Sequence, residues 1–139
     1  MATTTRFFDT NLLLYLFSSS TDKADTVESL MAQGGTISVQ VLNEFAAVAR
    51  RKLKMTFAEI SETVDILTQT LKVVPLKLET HRYGLQLAER YGYSVYDAMI
   101  LASALESGCN QLLTEDLQHQ QRVESTLDIV NPFAPLELK

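Results

Sequence analysis

Four acidic side chains stand where simple structural reasoning does not want them: Asp9, Glu44, Asp97 and Asp116. Asp97 is the clearest case. It heads a helical stripe that continues as Ile100, Leu101, Ala104 and Leu105 within the run Ser94-Val-Tyr-Asp-Ala-Met-Ile-Leu-Ala-Ser-Ala-Leu105. Ser94-x-x-Asp97 is close to a capping box, and an acid suits the first turn of a helix. Capping explains an acid in that turn. It does not explain an acid leading a buried face, where an unpaired charge is costly. Glu44 interrupts the apolar stripe of Val41 and Val48, and its ordinary reading is a carboxylate at the stripe edge reaching water. Asp9 follows Phe7-Phe8, and Asp116 lies two residues beyond Thr114. Taken singly, each of these two reads best as a helix cap.

Taken jointly, the four point to one chemistry. Converging carboxylates must take up protons or surround a cation. Oxygen-only ligands favour a hard ion, Mg2+ or Mn2+, over zinc or copper. Such an ion supplies a more acidic water, an oriented phosphate and a stabilised leaving oxygen, with two ions about 3.5–4 Å apart in the fully loaded form. The expected reaction is hydrolysis of a phosphodiester. His119 could be named a general base, but it is read as a solvent-exposed loop histidine, because water on a metal needs no such help.

The elements that must position these acids can be read from periodicity. Residues 5–9 form a short strand ending at Asp9, and the apolar residues 12–17 open a helix. Ala24, Val27, Leu30 and Met31 recur at helical spacing until Gly34-Gly35. Residues 36–39 predict a strand and residues 40–53 a helix. Thr56-Phe-Ala-Glu59 matches a capping box, and Ile60, Val64, Leu67 and Leu71 form the inner stripe of the helix it starts. Residues 72–76 predict a strand whose Pro75 suits an edge or an end. Residues 79–91 form a helix with Gly84, Leu87, Ala88 and Tyr91 on one side, ended by Gly92. The helix bearing Asp97 follows and stops at Gly108. Residues 111–114 are a fourth strand, and 128–130 a fifth closed by Pro132 and Pro135.

Strands alternating with helices predict an α/β fold: a three-layer α/β/α sandwich around a mostly parallel sheet of four to five strands. Ligands in such sheets bind beyond the carboxyl ends of the strands, where the strand order reverses. Asp9 and Asp116 become neighbours there if the first and fourth strands pair.

The 139 residues, 46% of them hydrophobic, suffice for one domain over residues 1–139 with a core of its own. One cysteine, Cys109, excludes an internal disulfide, and with two histidines a structural zinc cluster is disfavoured. Cys109 precedes an apolar strand and reads as a buried, inert thiol. The polar start, and the absence of any run near the ~20 apolar residues of a membrane span, predict a cytoplasmic protein with no membrane partner. A net charge of −5 disfavours non-specific nucleic-acid binding, yet a cation held by clustered acids can still meet phosphate.

Phe8-Asp9-Thr10-Asn11, Val41-Leu42-Asn43-Glu44-Phe45, Tyr96-Asp97-Ala98 and Leu113-Thr114-Glu115-Asp116, in that order, resemble a PIN domain, and more narrowly the VapC-like toxin ribonucleases of toxin–antitoxin pairs. The likeness runs nearly the length of the chain, to Asn131-Pro132-Phe133. It implies a Mg2+- or Mn2+-dependent endoribonuclease, an RNA substrate, a homodimer and a small antitoxin partner. It also implies that Asp9, Glu44, Asp97 and Asp116 are the catalytic, metal-holding quartet. Thr114 matches the polar residue before the last acid, Asn11 is a support for Asp9, and Glu115 stays outside the site. Gln120 departs from the pattern, since close members often carry glycine there, where positive φ is permitted.

Within that resemblance, Arg50, Arg51, Lys52 and Lys54 are candidates for RNA phosphate contacts. Cations that complement the end of their helix are an equal alternative. Tyr96 could stack a base but is read as a packed core tyrosine. The surplus of apolar residues over 12–17 fits an antitoxin groove, a dimer surface or a helix buried on two sides. A PIN-like scaffold that binds without cutting is the competing function. A phosphoacceptor receiver is disfavoured because Asp9 stands alone, and a haloacid-dehalogenase phosphatase because position 11 is Asn.

Overall fold

The computed structural model describes residues 3–134; Met1, Ala2 and Pro135, one of the two prolines expected to close the last strand, lie outside them. The strands are β1 (Arg6–Phe8), β2 (Thr36–Ser38), β3 (Lys72–Val74), β4 (Gln111–Leu113), β5 (Arg122–Val123) and β6 (Leu127–Val130). The helices are α1 (Thr10–Leu14), α2 (Thr21–Ala32), α3 (Val39–Arg51), α4 (Phe57–Thr70), α5 (Leu78–Tyr91) and α6 (Val95–Glu106). The sheet has six strands in the order β3-β2-β1-β4-β6-β5, parallel except for the β5–β6 pair. Helices cover it on both faces in a three-layer α/β/α sandwich.

The chain lays β1, β2 and β3 outward in one direction, then returns so that β4 pairs with the other side of β1, Phe8 opposite Leu113. The strand order therefore reverses between β1 and β4, which is where such sheets open a crevice. Phe7, Phe8, Leu112 and Leu113 are buried from both sides, as central parallel strands must be. Beside them α6 lies on β2 and β4 and packs along α5. Every residue from Ala98 to Ala104 in α6 is buried, so its apolar character goes all round instead of forming one stripe. Gly84 lets α5 approach: a Cβ there would sit 2.4 Å from the Met99 sulfur and 3.3 Å from the Met99 Cα.

Three local expectations are corrected, and the open choice over residues 12–17 is narrowed. A sixth strand, β5, escapes sequence reading because two residues carry no period; it is paired to β6 across a tip where Glu124 and Ser125 both have positive φ. The surplus apolar residues over 12–17 are mostly core. Leu12 and Leu13 are fully buried, Leu14, Tyr15 and Leu16 pack against the core, and a 3₁₀ turn (Tyr15–Phe17) rotates the segment so that only Phe17 is exposed. His119 is half-buried, and its Nδ1 accepts the Asn131 N–H at 3.0 Å. Tyr96 is not a core residue: it is 72% exposed. As expected, β3 with its Pro75 is an edge, and Cys109 is a buried free thiol.

Candidate functional site

Asp9 leaves the end of β1 as the N-cap of α1, its Oδ1 accepting the Thr10 N–H at 2.7 Å. Its other oxygen accepts the Thr114 hydroxyl at 2.8 Å, across the β1–β4 junction. Asp9 is thus a helix cap, and the same carboxylate is tied across to the strand that leads to Asp116. Thr114 is fully buried, and its Oγ1 also accepts the Asp116 N–H at 3.1 Å, so one hydroxyl holds the ends of two strands and both aspartates in register. Asn11 reaches the same oxygen through Nδ2 at 3.4 Å. Its contact is therefore with Thr114 and not with Asp9, and its Oδ1 is buried without a partner.

Glu44 comes from the second turn of α3. Its Oε1 accepts the Thr10 hydroxyl at 2.8 Å and its Oε2 accepts the Gln40 amide at 3.0 Å. Thr10 thereby bridges Asp9 and Glu44. Gln40 bridges Glu44 and α6, because the same Nε2 donates to the Tyr96 carbonyl at 3.2 Å, one residue before Asp97. Neither bridge was singled out from sequence. Gln40 had a signal available, an amide four residues before an acid on one helix face. The hydroxyl of Thr10 had none, since its partner is 34 positions away.

Asp97 is half-buried at the head of α6. The Ser94 hydroxyl accepts the Asp97 N–H at 3.2 Å, so the cap uses the backbone of Asp97. Burial raises its carboxyl above the ordinary value; Ser94 opposes this, while the charges of Asp116 and Glu44 add to it. Asp9 responds in the same way and further. Burial lifts it from 3.8 to about 6 against the hydrogen bonds from Thr114 and Thr10, and Asp116 and Glu44 add to the rise. Asp116 itself is exposed at the mouth. Thr10, Asn11, Leu14, Glu44, Ala47, Val48 and Asp116 line a cleft of about 310 Å³. Glu115 turns away, ion-paired with Lys23 at 3.0 Å and accepting the Tyr15 hydroxyl.

The donor set suits a hard divalent cation: carboxylate oxygens, hydroxyls and an unpartnered buried amide oxygen. The spacing is looser. Among the described residues, no three His, Cys, Asp or Glu side chains are gathered closely enough to hold one ion as they stand. The carboxylates of Asp9 and Glu44 rest on neutral donors. A cation here would have to draw them together.

Of the basic run, Arg50 donates to the Met55 carbonyl at 3.1 Å and stacks over Phe57. Arg51, Lys52 and Lys54 are exposed. Gln120 has φ of 69°, so the glycine-like conformation is kept without the glycine. No helix among the described residues is long and apolar enough to cross a membrane.

No curated protein matches the chain in sequence. Among solved structures it is similar to a toxin–antitoxin complex from Klebsiella pneumoniae, with a TM-score of 0.70 and 22% identity over 93% of this chain and 98% of that one. It is similar to VapC20 of Mycobacterium tuberculosis, described as a sarcin-ricin loop cleaving toxin, with a TM-score of 0.66 and 18% identity over 81% and 90% of the two chains. VapBC2 of Rickettsia felis, solved bound to a DNA fragment from their promoter, gives a TM-score of 0.65 and 18% identity over 89% and 96%. The profile of the PIN domain matches residues 6–124. A match of that length, on a sheet whose order reverses beside the acids, makes the chain a member of the PIN domain family.

Proposed function

We propose that the protein is a Mg2+- or Mn2+-dependent endoribonuclease and the toxin of a toxin–antitoxin pair. The observation that carries this is Asp9: a buried carboxylate at the strand-order reversal, with Glu44 and Asp116 close enough to raise it further. Burying one acid and setting others around it is costly unless a cation completes the group. Asp9, Glu44, Asp97 and Asp116 would hold the ion, which supplies a more acidic water and neutralises charge on the scissile phosphate. Thr114 and Thr10 orient the carboxylates of Asp9 and Glu44. Arg51 follows Glu44, Ala47 and Val48 along one helical face, about 10 Å from Glu44, and contacts a flanking phosphate. Lys52 and Lys54 extend that contact, while Arg50 serves the helix end. The similarity to toxin–antitoxin structures supports an antitoxin partner; the same reading takes the protein to be a cytoplasmic homodimer with a small antitoxin.

The test is cleavage of total RNA with and without Mg2+, wild type against Asp9→Asn. The reading requires cleavage that needs the metal and is lost in the variant. One observation favours a second reading, a scaffold that binds without cutting: the acids are not drawn together. Titration calorimetry with Mn2+ separates the two, since a scaffold takes up no ion at millimolar concentration.

A further inference from the structure

Gln40, which donates to Glu44, also lines a second cavity. It measures about 510 Å³, a size typical of ligand pockets, and its surface is mostly apolar. Leu76, Val95 and Met99 supply the apolar surface, with Tyr96, His81 and Lys77 around it. Tyr96 is 72% exposed and Val95 48% exposed, an aromatic and an aliphatic surface held open to water immediately before Asp97.

Gln40 forms the partition. Its Nε2 donates to Glu44 and to the Tyr96 carbonyl, and those two acceptors fix which amide atom is nitrogen. Its Oε1 has no hydrogen-bond partner among the described residues, and Gln40 lines the pocket. The cavity thus offers an aromatic face, an apolar floor, an amide acceptor and a cation. This is the complement of an unpaired nucleobase and its phosphate: bases splayed from single strands stack on aromatic rings and hydrogen-bond through their edges.

We infer that this cavity binds a nucleobase of single-stranded RNA, adjacent to the phosphate held over the acids. The inference rests on the nuclease reading and deepens it. Tyr96 is the stacking platform, the Gln40 Oε1 accepts from an exocyclic amine, and Lys77 neutralises the attached phosphate. A strand crossing the site has Arg51 on one side and this pocket on the other, with the scissile phosphate between.

The test measures anisotropy of a labelled single-stranded RNA octamer in millimolar Mg2+, with every protein carrying Asp9→Asn to stop cleavage. Adding Tyr96→Ala weakens binding about tenfold, Tyr96→Phe changes it less than about twofold, and an octamer of abasic nucleotides loses at least about tenfold. Equal affinity for Tyr96→Ala and its parent overturns the pocket. So does a Tyr96→Ala variant that binds RNA normally but passes from dimer to monomer in light scattering, which makes this face a contact between copies of the chain. If wild type still cleaves RNA with Mg2+ while Tyr96→Ala is silent, only the base pocket falls. If wild type neither binds nor cleaves, the nuclease reading falls with it.

Discussion

Asp9 sets the behaviour of the site at the level of one residue. Its folded value of about 6 lies above the ordinary 3.8, so the native state holds the proton more tightly than the unfolded chain. As pH rises from about 4 to about 6, the unfolded state releases its proton first, and the metal-free protein loses about 3 kcal/mol. Urea unfolding between pH 4 and 7 should show that loss in wild type and not in Asp9→Asn; a constant difference between the two proteins would contradict the burial of Asp9. Asp97 behaves differently. Its cap depends on a backbone N–H, which asparagine keeps. Asp97→Asn should therefore cost at least about a hundredfold in RNA cleavage, in line with loss of a group acting in the transition state. Its melting temperature without metal should equal or exceed that of wild type, since one like charge is gone. Wild-type cleavage would leave Asp97 as nothing more than a helix start.

The elements matter through how closely they approach. Thr114 joins the ends of β1 and β4 by hydrogen bonds to Asp9 and Asp116. Thr114→Val keeps the shape and removes the bonds, and should cost about 1–3 kcal/mol of stability in urea unfolding. Gly84→Ala gains about 1 kcal/mol of helix propensity, but it places a methyl against Met99 at 2.4 Å from sulfur and 3.3 Å from Cα. The backbone atom cannot step aside as a side-chain tip can. Thermal unfolding should show a net loss, with overpacking costs of about 1–3 kcal/mol outweighing the propensity gain. The helices α4 and α5 are legible because each has a periodic face and a cap or stop: the Thr56–Glu59 capping box forms, and Gly92 ends α5 with φ of 78°. The two-residue β5 was not legible, because its pairing depends on a hairpin tip whose Glu124 is held by Tyr83, Arg90 and Tyr91 of α5.

For the molecule as a whole, binding to the native state alone must raise its stability. Mn2+ at about a hundred times its dissociation constant should add about 2.7 kcal/mol at neutral pH, read as a rise in melting temperature. The rise should shrink below pH 6, where protons occupy Asp9 in competition with the metal. An unchanged melting temperature at millimolar Mn2+ and pH 7.5 would favour the scaffold reading.

Apart from β5, the order of strands and helices, the PIN resemblance and the choice of four candidate acids are written in local features: periodicity, caps and the residues that end each strand. Tertiary structure alone decided the rest. Thr10 and Gln40 serve Glu44 because α1, α3 and α6 meet beside it, and hydrogen bonds between such distant positions leave no period in the chain. Tyr96 is exposed beside buried Ala98 because the first turn of α6 protrudes past its neighbours, and periodicity gives the face of a residue but not the depth at which its helix is covered.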